Sequence, residues 1–170
     1  MVKTSTLHLY ALALGSNRPL SGKRTPKVLV KEAATRLQRV GRVLAMAPIL
    51  TSSPIGPSLR EYANSALLIE SDLPPKAMLS ALKMIEAGLG RRRHRRWGAR
   101  SVDIDIILWS GGRWQSRTLD IPHPAFRTRD FVLSPLCAIV PGWRDPVSGL
   151  SIRQLRTRLR KAQVLLRPRG

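Results

Sequence analysis

Residues 96–109 read Arg96-Trp97-Gly98-Ala99-Arg100-Ser101-Val102-Asp103-Ile104-Asp105-Ile106-Ile107-Leu108-Trp109. From Val102 onward this is a strand. Side chains two apart share a face, so Asp103 and Asp105 point one way while Val102, Ile104 and Ile106 point the other. Gly111-Gly112 reads as the turn that ends it. Upstream, Met78, Leu82, Ile85 and Leu89 follow the spacing of one buried helical face, with Asp72 as the expected cap and Gly90 as the stop. Before that helix, Val43 to Leu50 and Tyr62 to Glu70 read as strands separated by the Pro- and Gly-containing loop Ser52-Ser53-Pro54-Ile55-Gly56-Pro57. Thr25-Pro26 opens a helix that runs to Val40, and Leu7 to Leu14 is a largely buried strand that stops at Gly15-Ser16-Asn17. The order is β-α-β-β-α-β. It predicts an α+β fold of ferredoxin-like type, with helices on one face of an antiparallel sheet.

Beyond this core, Thr128 to Ile139 predicts a further helix containing Pro135. Ser151 to Leu166 predicts a last one, with Ile152, Leu155 and Leu159 inward, Arg153, Arg156, Arg160 and Lys161 outward, and Ser151 with Gln154 as a capping box. No repeat or linker divides the 170 residues, so residues 1–170 are expected to form a single domain with a basic C-terminal helix or tail at about 151–170.

Cys137 is the only cysteine, which excludes an internal disulfide and a cysteine-rich zinc site. No apolar run approaches the ~20 residues of a membrane span and no signal-peptide pattern opens the chain, so a cytoplasmic location is expected. The chain carries 30 Lys plus Arg against 10 Asp plus Glu, a net charge of +20. Such a charge attracts polyanions, and two classes of function stay open on composition alone: an enzyme acting on nucleotides, or a nucleic-acid-binding protein. No regular series of stacking aromatics or RNA-binding signature supports the second.

The Asp103-x-Asp105 pair bears on that choice. A pair like this on a strand is also what the solvated face of an amphipathic edge looks like. Here, however, scarce acids stand directly beyond a run in which six of the ten residues 91–100 are arginine. Two carboxylates on one face hold hard cations such as Mg2+, and guanidinium groups grip phosphate oxygens. The combination reads as a metal and polyphosphate site.

Several motifs, taken in order, resemble the 6-hydroxymethyl-7,8-dihydropterin pyrophosphokinase family over about residues 8 to 145. They are Ala13-Leu14-Gly15-Ser16-Asn17, the loop from Ser52 to Gly56, Tyr62-Ala63-Asn64, Arg96 to Arg100 running into Asp103-Ile104-Asp105, and Ile121-Pro122-His123-Pro124 followed by Arg129-Asp130-Phe131-Val132-Leu133. The resemblance implies a ferredoxin-like core, two Mg2+ ions, and ATP as co-substrate yielding AMP. It implies catalytic roles for Arg91, Arg100, Asp103 and Asp105, with both aspartates as metal ligands. ATP contacts fall to Glu86, Arg96, Trp97, Arg100, Ile106, His123 and Arg129, and in the family the arginine-rich segment closes over ATP. Pterin contacts fall to Gly15, Ser52, Ile55, Tyr62, Asn64 and Phe131, with Tyr62 and Phe131 as the stacking pair. Ser52 stands where the family commonly has threonine, and Thr118 and Asp120 depart from its ribose-side pattern. Expected partners are the small-molecule pterin and ATP, with incidental polyanion binding through the basic tail and a monomeric state.

Overall fold

The structure, a computed structural model, describes residues 6–52, 62–90 and 101–165. Its strands are β1 (His8–Ser16), β2 (Arg42–Met46), β3 (Leu50–Ser52), β4 (Tyr62–Ser71), β5 (Asp103–Trp109), β6 (Trp114–Gln115) and β7 (Asp120–Ile121). Its helices are α1 (Pro26–Leu37), α2 (Pro75–Gly88), α3 (Asp130–Ile139) and α4 (Ile152–Leu165). The main sheet runs in the order β2-β4-β1-β5, with β3 also paired to β4, and every pairing is antiparallel. The long central strands β1 and β4 carry unbroken buried runs at Tyr10–Leu14 and Ser65–Leu67, as burial on both faces requires.

Helices cover both faces, which corrects the expectation of a single helical layer. On one face Leu29, Val30 and Leu37 of α1 and Met78, Leu82 and Leu89 near α2 pack on Tyr10, Leu12, Leu14, Leu67 and Ile69. On the other, Val132, Leu133 and Leu136 of α3 and Ile152 and Leu155 of α4 pack on Ala11, Ala13, Ala66, Ile107 and Leu108. The alanines matter because they let α3 approach the sheet closely.

Local chemistry explains the element ends. The Thr25 hydroxyl accepts the Val28 N–H and Pro26 occupies the first turn of α1, an arrangement that satisfies a free helical donor. Asp72 does not cap α2. Pro74 holds the capping position in extended geometry, and Pro75 starts the helix. At the far end Gly90 takes a φ of +87°, which favours glycine. The expected strand Val43 to Leu50 is split at Ala47-Pro48-Ile49, where Pro48 has no N–H to offer a ladder. In α4 the Ser151 N–H donates to Gln154 Oε1 at 2.9 Å and the Gln154 N–H to Ser151 Oγ at 3.2 Å, which is the predicted reciprocal cap.

Candidate active site

Cross-strand register assembles the centre of the site. Asn64 of β4 pairs with Gly15 of β1, and Gly15 pairs in turn with Asp103 of β5. The next row is Ala66, Ala13 and Asp105. Directly paired residues share a face, so Asn64, Asp103 and Asp105 all project on the α3 side, and Tyr62, two residues before Asn64, joins them. Gly15 and Ala13 leave the floor between them low. A Cβ at Gly15 would lie 3.2 Å from Asn64 Oδ1, so glycine keeps the carboxamide's place open. Two interstrand spacings separate Asn64 from Asp103, roughly 10 Å of backbone.

A bulge in β5 adds the next group. The register against β1 shifts between Ala11 and Leu12, whose partners are Leu108 and Ile106, so Ile107 is the extra residue. Both Ile107 and Leu108 therefore turn into the α3-side core. The Ile107 carbonyl accepts the His123 N–H at 3.1 Å, which fastens the Pro122-His123-Pro124 segment beside the aspartates. His123 Nδ1 accepts the Ala125 N–H at 3.2 Å, and its Nε2 stands 4.0 Å from Asp105 Oδ2.

On the outer side of β5 a cleft of about 380 Å3 is lined by Asp103, Asp105, Glu86, Lys83, His123 and the 116–120 segment, with Leu79, Ile104 and Ile106 at its base. Glu86 is only 3% exposed, and its Oε1 accepts the Ile104 N–H at 2.8 Å. A helix-borne carboxylate thereby occupies a backbone donor of the edge strand. Lys83 sits one turn before Glu86 in α2 and brings a cation to the same cleft. Sequence reading missed Lys83, Arg117 and Leu119, although the three-residue spacing of Lys83 to Glu86 places them on one helical face. Thr118 and Asp120 also line it. Ile106 reaches this cleft but packs mainly in the α1 and α2 core.

Arg129 and Phe131 are not part of that cleft's lining and sit at the start of α3. Phe131 is 52% exposed, and the Arg129 guanidinium lies 5.8 Å from its ring centre. Between His123 and Arg129 the 126–128 turn is clamped by Arg127, whose Nε and Nη2 donate to Asp145 Oδ2 and Oδ1, each at 2.7 Å. Burial pushes the Asp145 carboxyl up, but Arg127, the Ser148 hydroxyl and the Val147 N–H outweigh it and hold the pKa at about 2. Ser52 pairs with Tyr62 as the last residue of β3. Ile55, Arg91, Arg96, Trp97 and Arg100 lie outside the described residues.

The donor set suits Mg2+. Among the described residues no cluster of three or more His, Cys, Asp and Glu forms a metal cage. Two carboxylates on one face leave coordination positions for water and substrate phosphates, the usual protein contribution to a Mg2+ site.

The chain is similar to proteins of one family. Residues 11–141 match the family model described as 7,8-dihydro-6-hydroxymethylpterin-pyrophosphokinase. The 2-amino-4-hydroxy-6-hydroxymethyldihydropteridine pyrophosphokinase of Pseudomonas aeruginosa is 35% identical over 136 residues, 79% of this chain and 82% of that protein. The Synechocystis protein of the same name is 39% identical over 104 residues, but the match spans only 53% of its length. The wild-type Plasmodium falciparum HPPK-DHPS solved with pteroate superposes with a TM-score of 0.72 at 13% identity, covering 95% of this chain and 46% of that one. At that identity the likeness speaks to the fold. The family match spans the sheet, both aspartates, His123 and the start of α3, and the chain belongs to the 7,8-dihydro-6-hydroxymethylpterin-pyrophosphokinase family.

Proposed function

We propose that the protein transfers the pyrophosphoryl group of ATP to the hydroxymethyl oxygen of 6-hydroxymethyl-7,8-dihydropterin, giving AMP and the pterin diphosphate. One observation carries this reading: the paired positions Asn64, Gly15 and Asp103 form a low floor that leads from a carboxamide to a carboxylate-lined cleft. The ring lies between Tyr62 and Phe131. The Asn64 carboxamide, which both donates and accepts, meets its amide-like edge, with Ser52 and Ile55 closing the loop side.

The nucleotide occupies the cleft between Glu86 and His123, with Arg91, Arg96, Trp97, Arg100 and Arg129 serving its phosphates. The hydroxymethyl oxygen attacks the β-phosphorus in line. Its proton passes to water, the bond from the β-phosphorus to the α,β-bridging oxygen breaks, and AMP leaves with that oxygen. Asp103 and Asp105 would hold two Mg2+ ions, which supply charge neutralisation of the polyphosphate and easier ionisation of the alcohol. His123 aims a ring N–H at the transferring group, and the arginines stabilise its spread negative charge bidentately.

The strand order with all neighbours antiparallel supports the ferredoxin-like assignment, extended by α3 and α4 on the second face. Two cores sharing one sheet support a single domain. We place the protein in the cytoplasm as a monomer, where its small-molecule substrates would meet it; no described helix is long and apolar enough to cross a membrane. The +20 charge favours a second reading as a polyanion binder, which predicts salt-steep RNA binding that survives loss of both aspartates.

The test is incubation with ATP, Mg2+ and the pterin, following both products by chromatography. Equimolar AMP and pterin diphosphate, abolished by chelator and by Asp105→Ala, is the expected result. Folded protein that forms neither product would overturn the assignment.

A further inference from the structure

The start of α3 is poorly secured by its own helix. Arg129 occupies the capping position without a side-chain cap bond. Pro135, inside the helix, has no N–H to give the Phe131 carbonyl four residues earlier. Yet this turn carries both Arg129 and Phe131. Side chains of its own second turn and of the next helix hold it. Ser134 Oγ donates to Asp130 Oδ1 at 3.0 Å, Arg156 Nε of α4 donates to Ser134 Oγ at 3.0 Å, and the Nε atoms of Arg156 and Arg160 each lie 3.8 Å from Asp130 Oδ1.

We propose that the basic C-terminal helix is a working part of the site: Arg156 and Arg160 clasp Asp130 and Ser134, and so position Arg129 and Phe131 for phosphate and pterin. A lone exposed ion pair contributes little. This one differs in three respects. Two arginines and a hydroxyl converge on a single carboxylate oxygen, Arg156 is itself largely covered with 30% of its side chain exposed, and Asp130 sits in the first helical turn, where a negative charge is favoured. Asp130 is also one of only ten acids in the chain. The residues are spaced for the task, since Arg156 and Arg160, four apart, rise on one face of α4. The other basic residues of α4, Arg153, Arg158 and Lys161, have no part in the clasp and remain a solvated face.

The proposal rests on the pyrophosphokinase reading for its kinetic consequence but not for its structural one, and two measurements separate them. Arg156→Gln with Arg160→Gln should raise the pterin KM about fivefold through Phe131 and lower kcat about fivefold through Arg129. Asp130→Asn should do the same, and adding it to the double variant should change nothing further. In a Phe131→Ala background the pterin effect of Arg156→Gln/Arg160→Gln should vanish, which a general loss of stability would not produce. Effects that add to Phe131→Ala, or a pterin KM unchanged in both clasp variants, would overturn the positioning role. Hydrogen exchange needs no catalysis: the Val132 and Leu133 N–H groups, both bonded to the Arg129 carbonyl at 3.0 Å, should exchange about tenfold faster in Arg156→Gln/Arg160→Gln. Unchanged exchange would overturn the clasp itself, whatever reaction the protein performs.

Discussion

His123 turns Nε2 toward Asp105 Oδ2 at 4.0 Å while its Nδ1 accepts the Ala125 N–H. The second contact decides what the first one does. With Nδ1 occupied as an acceptor, the neutral ring must carry its proton on Nε2, the nitrogen that faces the carboxylates. At 4.0 Å the two groups are neighbours without a hydrogen bond, so the Nε2–H is available to a phosphate oxygen beside Asp105. A preorganised donor aimed at developing charge contributes most in the transition state. His123→Ala should therefore lower kcat by about 10²-fold with the pterin KM changed less than threefold. Steady-state kinetics on folded variant protein provides the measurement, and a rise in KM alone would assign His123 to ground-state binding.

Asp103 and Asp105 occupy successive positions on one face of an edge strand, each half-exposed, with Ile104 between them and Ile106 beyond buried in the α1 and α2 core. Replacing either carboxylate removes an oxygen donor without disturbing the core. Asp103→Ala and Asp105→Ala should each reduce turnover by 10³-fold or so and shift Tm by no more than about 2 °C. Turnover and thermal melts taken on the same preparations check this, and near-normal turnover in both would remove the metal role from the pair.

The Arg127–Asp145 clamp gives a pH prediction remote from the carboxylates of the site. Asp145 is fully buried and titrates at about 2 in the folded chain, against 3.8 for its ordinary value. The folded pKa is depressed, so the stabilisation is fully present above pH ~4 and is lost as pH falls toward ~2, amounting to about 2 kcal/mol. Asp145→Asn should lower stability at neutral pH by about 2–4 kcal/mol, and the gap between wild type and variant should close between pH ~4 and ~2. Denaturant unfolding across that range measures it. A gap that stays constant would mean that Asp145 acts by shape and not by charge.

How far the sequence carried these conclusions depended on the size of the side chains involved. Asp103 and Asp105 were legible because the flanking isoleucines fix a period of two. The capping box at Ser151 and the buried stripe Met78, Leu82, Ile85 and Leu89 were legible for the same kind of reason. The second helical layer was not. Its floor is Ala11, Ala13 and Ala66, small residues that leave little hydrophobic pattern in a strand, although a β1 that is apolar on both faces already required cover on both. The bulge at Ile107 left no mark because Ile106-Ile107-Leu108 is apolar in any register. Glu86 is expected at the nucleotide side from the resemblance; only the position of β5 shows that it is buried and that its carboxylate accepts the Ile104 N–H. The Asp130 clasp needed two helices whose mutual placement no local pattern encodes.

The floor residue Gly15 offers the test that most cleanly separates the two substrates. It pairs with Asn64 on one side and Asp103 on the other, and a methyl there would stand 3.2 Å from Asn64 Oδ1. That is closer than an ordinary contact, so the carboxamide must give way by a few tenths of an ångström, while strand geometry itself tolerates alanine. Hydrogen bonds to a ring edge lose strength quickly when displaced and bent. Gly15→Ala should then raise the pterin KM about tenfold and leave the affinity for a non-hydrolysable ATP analogue within twofold, both measured on the same protein. Asn64→Ala alone should weaken pterin binding at least as much. Because the steric conflict disappears once the carboxamide is gone, the double variant should bind pterin no worse than Asn64→Ala. Full additivity would show instead that Gly15 meets the ring directly, and equal losses for pterin and nucleotide would move the floor from the pterin half of the site to the junction between the two.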